Sequence, residues 1–401
     1  MGLILCPNCP FVGSCFCNGG NFTLLKHDKN IHFSSMRLLI AGLVVACVSQ
    51  RVSKALASRG DEWVVFRQCV HLCSRNQNSS DALPNKWING LDIPQSRLCR
   101  EDWDNNAIET LGYLEGPTPS SSSLMLMRLL NWDCESDCQY ECMWTLEDYN
   151  REKGGEALKY FGKWPFNRIL GVQEPASVLL SVMNLAANVH CACIITKLCA
   201  KKIDHVEPHG ALETLSPSAW ITHFILACNA WFWSAVFHAR DTRVTERFDY
   251  FSAGAVIGYD LFLSFCRVVP GLKGVKSRSI LGAVLSLLYL RHVYNMHYVK
   301  FDYGYHVGLC IVAGLVQSII WLVWSFASAE GLSHPGRKYL ILFTFSVNIA
   351  VLLEILDFPP IFDTVDAHAL WHLATIPLIY VWCGFVTRDI TKGTDTLSKT
   401  K

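Results

Sequence analysis

Downstream of residue 172 the chain is a succession of apolar segments, each close to the length that a helix needs to cross a bilayer. About 20 residues at a rise of 1.5 Å cover a hydrocarbon core of roughly 30 Å. Seven segments qualify: 176–199, 219–237, 249–268, 280–296, 305–327, 339–356 and 368–386, the fourth interrupted by Arg291 and His292. The chain is 51% hydrophobic and 17% charged, against about a quarter charged in soluble domains. The fold class read from this pattern is an all-α membrane protein, a seven-transmembrane helix bundle. A net charge of +1 excludes a strongly basic nucleic-acid binder, so no nucleic acid is expected among the partners. The chain has no Gly-rich phosphate loop, no low-complexity tract and no clear internal repeat.

The residues ahead of the bundle divide by composition. Arg37, an apolar run over 38–48 and the small residues Ala55 and Ala57 make 36–57 a signal peptide cleaved after Ala57. Its apolar run is too short to span a bilayer comfortably. Residues 1–35 form an upstream extension, and two readings stay open for it. Either Cys6, Cys9, Cys15 and Cys17 belong to a metal-binding extension, or translation begins at Met36. Residues 58–172 are polar and loop-rich and form a small lumenal domain carrying Cys69, Cys73, Cys99, Cys134, Cys138 and Cys142. Cys69/Cys73 and Cys134/Cys138/Cys142 recur at i, i+4, one face of a helix. Two short helices stapled face to face fit that spacing. An even cysteine count behind a signal peptide points to disulfides, with a zinc site as the competitor; the connectivity stays open. Asn78-Ser79-Ser80 is a glycosylation sequon, which fits a lumenal segment.

Seven crossings from a lumenal N-terminal domain put the tail, 389–401, in the cytosol behind a bundle at 173–388. The positive-inside rule tests this. The cytosolic side takes Lys197, Lys201, Lys202, Arg267, Lys273, Lys276, Arg278, Arg337, Lys338, Arg388, Lys392, Lys399 and Lys401. The lumenal loops take only Arg240, Arg243, Arg247 and Lys300, with Asp241 and Glu246 as partners for those arginines.

Polar residues then converge at the lumenal helix ends. Ser234 and His238 lie one turn apart at the end of the second segment, Asp249 at the start of the third, and His368 and His372 at i, i+4 at the start of the seventh. Three imidazoles with an open fourth position are the ligand set of a catalytic zinc, whose chemistry is to activate water near pH 7. A neighbouring carboxylate relays a proton and a hydroxyl donates to a developing oxyanion. The competing reading is interfacial histidines with no metal. His292, His297 and His306 cluster elsewhere and read as packing or head-group contacts; Glu354 and Asp357 read as interfacial acids.

The Ser-x-x-x-His pair ending at His238, then Asp249, then His368-x-x-x-His372 resemble the signature of a hydrolase superfamily that includes alkaline ceramidases and the progestin and adiponectin receptors. Longer runs narrow the resemblance: FHARDTRVTERFDY at 237–250, KFDYGY at 300–305, LEILDFPP at 353–360, and the Cys134-x-x-x-Cys138-x-x-x-Cys142-Met-Trp run. These are similar to the post-GPI-attachment-to-proteins factor 3 family, over roughly residues 58–388; 1–35 have no match. The resemblance implies an enzyme of GPI-anchor lipid remodelling, which removes the sn-2 acyl chain from the inositol phospholipid of GPI-anchored proteins by a phospholipase A2-type ester hydrolysis. It implies zinc on His238, His368 and His372, catalytic Ser234 and Asp249, and a multi-pass protein of the Golgi membrane, with the endoplasmic reticulum as alternative. Two other functions stay open: a seven-helix receptor or non-catalytic protein braced by a structural zinc, and a ceramidase-type amide hydrolase.

Overall fold

The computed structural model describes residues 60–75, 91–94, 96–99, 121–203, 215–272 and 274–398. The signal peptide, the upstream extension, the Asn78 sequon, Lys399 and Lys401 lie outside the described residues. Those residues form helices, joined by loops in which only isolated bridges occur, at Tyr160–Lys163, Ile169–Val172 and Ile361–Val365.

The N-terminal domain is built on two helices. The first, α1 (Val64–Arg75), buries Phe66, Cys69 and Cys73, one face at i, i+3 and i+7. After a short α2 (Ser121–Leu129), α3 (Cys134–Glu152) starts at a capping box in which Asp133 accepts from the Ser136 amide and Ser136 answers, a strong helix-start device. Its inner face is Cys138, Cys142 and Leu146. Cys69–Cys142 and Cys73–Cys138 staple α1 to α3, and Cys99–Cys134 ties the intervening loop to the start of α3. The expected face-to-face pair is therefore present, and all six cysteines are consumed as disulfides. Each bridge closes a long loop, spanning 73, 65 and 35 residues, and such loops stabilise a fold by about 2–4 kcal/mol each. Replacing Cys73 and Cys138 together by serine is expected to lower stability by about that amount, read as a drop in the thermal unfolding midpoint of the detergent-purified protein. Non-reducing peptide mass spectrometry should recover the three stated pairs; free thiols at these positions would contradict the assignment.

Two tight turns follow α3. In the turn closed by Tyr160 and Lys163, Phe161 and Gly162 have φ of 52° and 81°. In the turn closed by Ile169 and Val172, Leu170 and Gly171 have φ of 53° and 81°. Two consecutive left-handed residues define a primed turn, and glycine takes the second place without steric cost.

The bundle consists of α4 (Pro175–Ile203), α5 (Pro217–Ala239), α6 (Arg243–Val268), α7 (Val275–Tyr294), α8 (Tyr303–Ala327), α9 (Arg337–Leu356) and α10 (Ala367–Ser398). Packing runs α4–α5–α6–α8–α9–α10 and closes through α10 on α4, with α7 outside the ring against α6. Among the described residues, six of these helices are long and apolar enough to cross a membrane. That differs from the seven expected. The missing one is α7, which forms where the fourth segment was read but carries Lys276, Arg278 and Arg291 within its 20 residues. Two boundaries also move. The third crossing begins at Arg243, because a Thr242/Thr245 capping box starts the helix; Arg243, Glu246 and Arg247 are thus helical rather than in a loop. The last helix continues through 389–398, residues assigned to the tail from sequence.

The core toward the far end of the bundle is aromatic: Trp220, Phe224, Trp321, Trp324, Trp382 and Phe385 are all buried. Several buried polar groups there are paired, although the Trp321 and Trp324 indole N–H groups have no hydrogen-bond partner among the described residues. Arg267 and Trp220 both donate to Asp389, and His223 bridges Asp260 at 2.5 Å and Trp382 at 3.0 Å. Removal of backbone and side-chain polar groups from water in this way requires such pairing.

Candidate metal centre

The candidate metal centre lies at the end of the bundle next to the N-terminal region. Three helix ends build it. His238 closes the last turn of α5. His368 and His372 open α10, whose start is fixed by Asp366 accepting the Ala369 amide at 2.8 Å, an N-cap contact. Asp249 sits in the second turn of α6. The ligand atoms of His238, His368 and His372 all lie within 4.8 Å of one another.

Each imidazole is held by its Nδ1. His238 Nδ1 meets Glu174 Oε2 at 2.7 Å, His368 Nδ1 meets Glu354 Oε2 at 2.5 Å, and His372 Nδ1 meets Ser181 Oγ at 3.1 Å. Anchoring Nδ1 fixes the tautomer and turns Nε2 inward, the outer-shell pattern of histidine metal ligands. His238 Nε2 and His368 Nε2 stand 3.3 Å apart. Two imidazoles on one tetrahedral ion at about 2.0–2.1 Å are separated by roughly that distance, so the three residues fit a metal ion as they stand. Trp231 and Trp371 wall in His372 at 5.1 and 5.2 Å between ring centroids.

A cavity of about 260 Å³ is lined by His238, His368 and Asp249, with Glu174, Glu354 and Asp366 and, from the N-terminal region, Lys159, Lys163 and Trp164 also on its wall. Ser234 is buried one turn before His238, its hydroxyl 3.0 Å from Ser181 Oγ. Ser234, Ser181 and His372 thus form a buried hydrogen-bonded chain. The five residues singled out from sequence are brought to one end of the bundle. Around them stand partners that sequence reading missed: Glu174, Ser181, Glu354 and Lys163. Glu354 holds a histidine and Asp357 accepts from Lys159 and Trp164, so neither is simply an interfacial acid. Asp241, expected to partner an arginine, attracts Arg240 electrostatically and also forms an ion pair with Lys163 at 3.1 Å.

Lys163 also lies 2.5 Å from Glu174 Oε1. Burial alone would raise the Glu174 carboxyl; Lys163 and His238 more than offset it and hold it well below the ordinary carboxylate range. Burial works against the Lys163 ammonium too, and Glu174 and Asp241 hold it above the usual lysine range. The second cluster with metal-ligand spacing, Cys99, Cys134 and Cys138, has its sulfurs in disulfides. His292 and His306 bond to each other at 2.9 Å, packed against Tyr250 and Tyr305, and take no place among the three grouped ligands.

The fold and site define a helical membrane protein with a disulfide-bonded N-terminal region and a tri-histidine cluster that could hold a metal ion. The chain belongs to the Per1-like family, which matches residues 124–390. It is 34% identical to the mouse GPI-specific phospholipase A2-like PGAP3 over 338 residues, 84% of this chain and 91% of that one. The human protein of the same name is 33% identical over 352 residues, 87% and 95% of the two chains. The PER1 homolog of Schizosaccharomyces pombe is 35% identical over 288 residues, 69% and 82%. No solved structure matches the chain. Membership of this family supports a role in GPI-anchor remodelling.

Proposed function

We propose that the protein is a zinc-dependent lipid acyl-ester hydrolase that removes the sn-2 chain from the inositol phospholipid of GPI-anchored proteins. The observation that carries this is the tri-histidine set itself: three Nδ1-anchored imidazoles, two of which, His238 and His368, line an open cavity together with Asp249. Three protein ligands with a cavity on the remaining side are the arrangement of a catalytic rather than a structural zinc, which argues against a purely bracing role. The same ligand pattern supports kinship with the ceramidase and adiponectin-receptor hydrolases, and the names of the relatives favour an ester over a ceramide amide.

When bound, zinc polarises a carbonyl oxygen and lowers the pKa of a water molecule to about 7. The chain's own residues do the remainder. Asp249 orients the attacking water, takes its proton and delivers it to the glycerol oxygen as the acyl C–O bond breaks. The products are a free fatty acid and a lyso-GPI anchor. Ser234 donates to the oxygen that gains charge in the tetrahedral state. Ser234→Ala is then expected to cost about 10²–10³-fold in rate with metal content unchanged. Loss of metal together with rate would instead assign Ser234 to holding His372 through Ser181.

The topology belongs to the same proposal. The cation asymmetry supports a lumenal N-terminal domain and a cytosolic tail, with α7 as the additional crossing. Its outward residues Ile280, Val284, Leu287, Leu288 and Leu290 are exposed, a surface suited to lipid. The metal centre then lies in the lumenal leaflet of the Golgi membrane, where GPI anchors reside. The deciding experiment supplies the purified, zinc-loaded protein with a GPI-anchored protein labelled in its sn-2 chain and, separately, with ceramide. Release of the labelled acid alone supports the reading; hydrolysis of ceramide alone, or of neither, overturns it.

A further inference from the structure

We propose that Lys163, carried on the Tyr160–Lys163 turn of the N-terminal domain and paired with Glu174 behind His238, is a positioning residue of the metal centre, so that metal retention depends on this domain being docked. The inference rests on the metalloenzyme reading above and assigns the disulfide-bonded domain a task within it.

Glu174 uses both carboxylate oxygens. Oε2 holds His238 Nδ1 at 2.7 Å and Oε1 meets Lys163 Nζ at 2.5 Å. Glu174 is 4% exposed. A carboxylate so far from water needs compensating charge; a bound metal ion would act only through the His238 ring, and the second oxygen faces away from it. Lys163 supplies it from outside the bundle, seated 3.9 Å over the Phe237 ring and 3.1 Å from Asp241. Without the ammonium, Glu174 and Asp241 face each other as like charges, and Glu174 is free to turn from His238.

The turn that delivers Lys163 is itself bolted down. Tyr160 donates to Glu147 at 3.0 Å, the Leu158 amide donates to the same oxygen, and Tyr160 packs on Phe66. Glu147 lies on α3 and Phe66 on α1, the two helices joined by disulfides. The turn also reaches the other side of the centre. Lys159 and Trp164 both donate to Asp357, three residues after Glu354, which holds His368. Residues of this turn and its flanks thus contact the carboxylate behind His238 and the loop that follows the one behind His368.

Loss of an outer-shell partner of a histidine ligand lowers metal affinity by about 10–100-fold. Lys163→Met in the full-length, detergent-purified protein should therefore weaken zinc binding by about that factor, measured as zinc per chain across a series of zinc–chelator buffers. Lys163→Arg, which keeps the charge, should restore most of it. A structural role alone would not require charge to rescue. Lys163→Met/Glu174→Gln removes both members of the buried pair and leaves only the partly exposed Asp241 charge, so it also serves if the single methionine variant fails to fold. Its zinc affinity should equal that of Glu174→Gln alone. Additive losses, or wild-type affinity in Lys163→Met, overturn the role of Lys163 while leaving the metal centre intact. A wild-type protein that takes up no zinc in any buffer overturns both.

Discussion

Replacing both α10 histidines, His368→Ala/His372→Ala, is expected to remove the metal and the remodelling activity together. Two of three ligands disappear, and His238 alone offers a single weak donor. The protein should still fold, because the helix keeps its Asp366 cap and its contacts with α4 and α9. The informative setting is a cell lacking the endogenous activity, in which GPI-anchored proteins keep their unsaturated sn-2 chain. Wild-type protein should restore the remodelled lipid and the double variant should not, while purified samples carry zinc and no zinc respectively. Normal remodelling by a well-folded, correctly located double variant would refute the metallohydrolase reading and bring the receptor-like alternative forward.

Asp249→Asn is expected to separate the metal from the chemistry. Asparagine has the shape of aspartate but cannot accept the proton from the attacking water. No histidine Nδ1 depends on Asp249; their partners are Glu174, Glu354 and Ser181. Zinc content should therefore stay at the wild-type level while the rate falls by about 10²–10⁴-fold, the usual contribution of a positioned general base. Steady-state release of labelled fatty acid, with zinc measured on the same sample, reads both. If zinc falls in parallel with rate, Asp249 belongs to the metal's support rather than to proton transfer.

The parts of this fold that were legible in the sequence are those that repeat or pair at helical spacing. Apolar segments of crossing length marked the bundle, and Cys69/Cys73 with Cys138/Cys142 marked the stapled helices. His368-x-x-x-His372 and Ser234-x-x-x-His238 marked two faces that the structure brings together. What escaped was whatever depends on a contact between distant elements. Glu354 carries no local sign that it meets a histidine 14 residues on, across the loop from α9 to α10. Lys163 meets Glu174 only because the turn between them folds back onto the bundle. Ser181 did leave a trace: Ser177, Ser181, Asn184 and Asn188 form a polar stripe on α4, at i, i+4, i+7 and i+11, and all four are buried. A polar stripe on a helix read as membrane-spanning points inward, and that signal was available. The crossing count was the least legible feature, because α7 lies outside the ring and its charges blur it with a surface helix.

The ring closes through contact between the first bundle helix, α4, and the last, α10, and His238 precedes His368 by 130 residues. That order has a bearing on biogenesis. As the chain is made, the N-terminal domain, Glu174 and His238 are all complete while the ligand set still lacks two of its three members. On the metalloenzyme reading, a nascent chain, or one that ends before α10, lacks two of the three ligands and cannot hold the ion. Because the binding free energy of a metal that only the assembled site can hold adds to folding free energy, that stabilisation reaches finished chains alone. Chains that stop short of α10 also leave α4 without the helix that closes the ring.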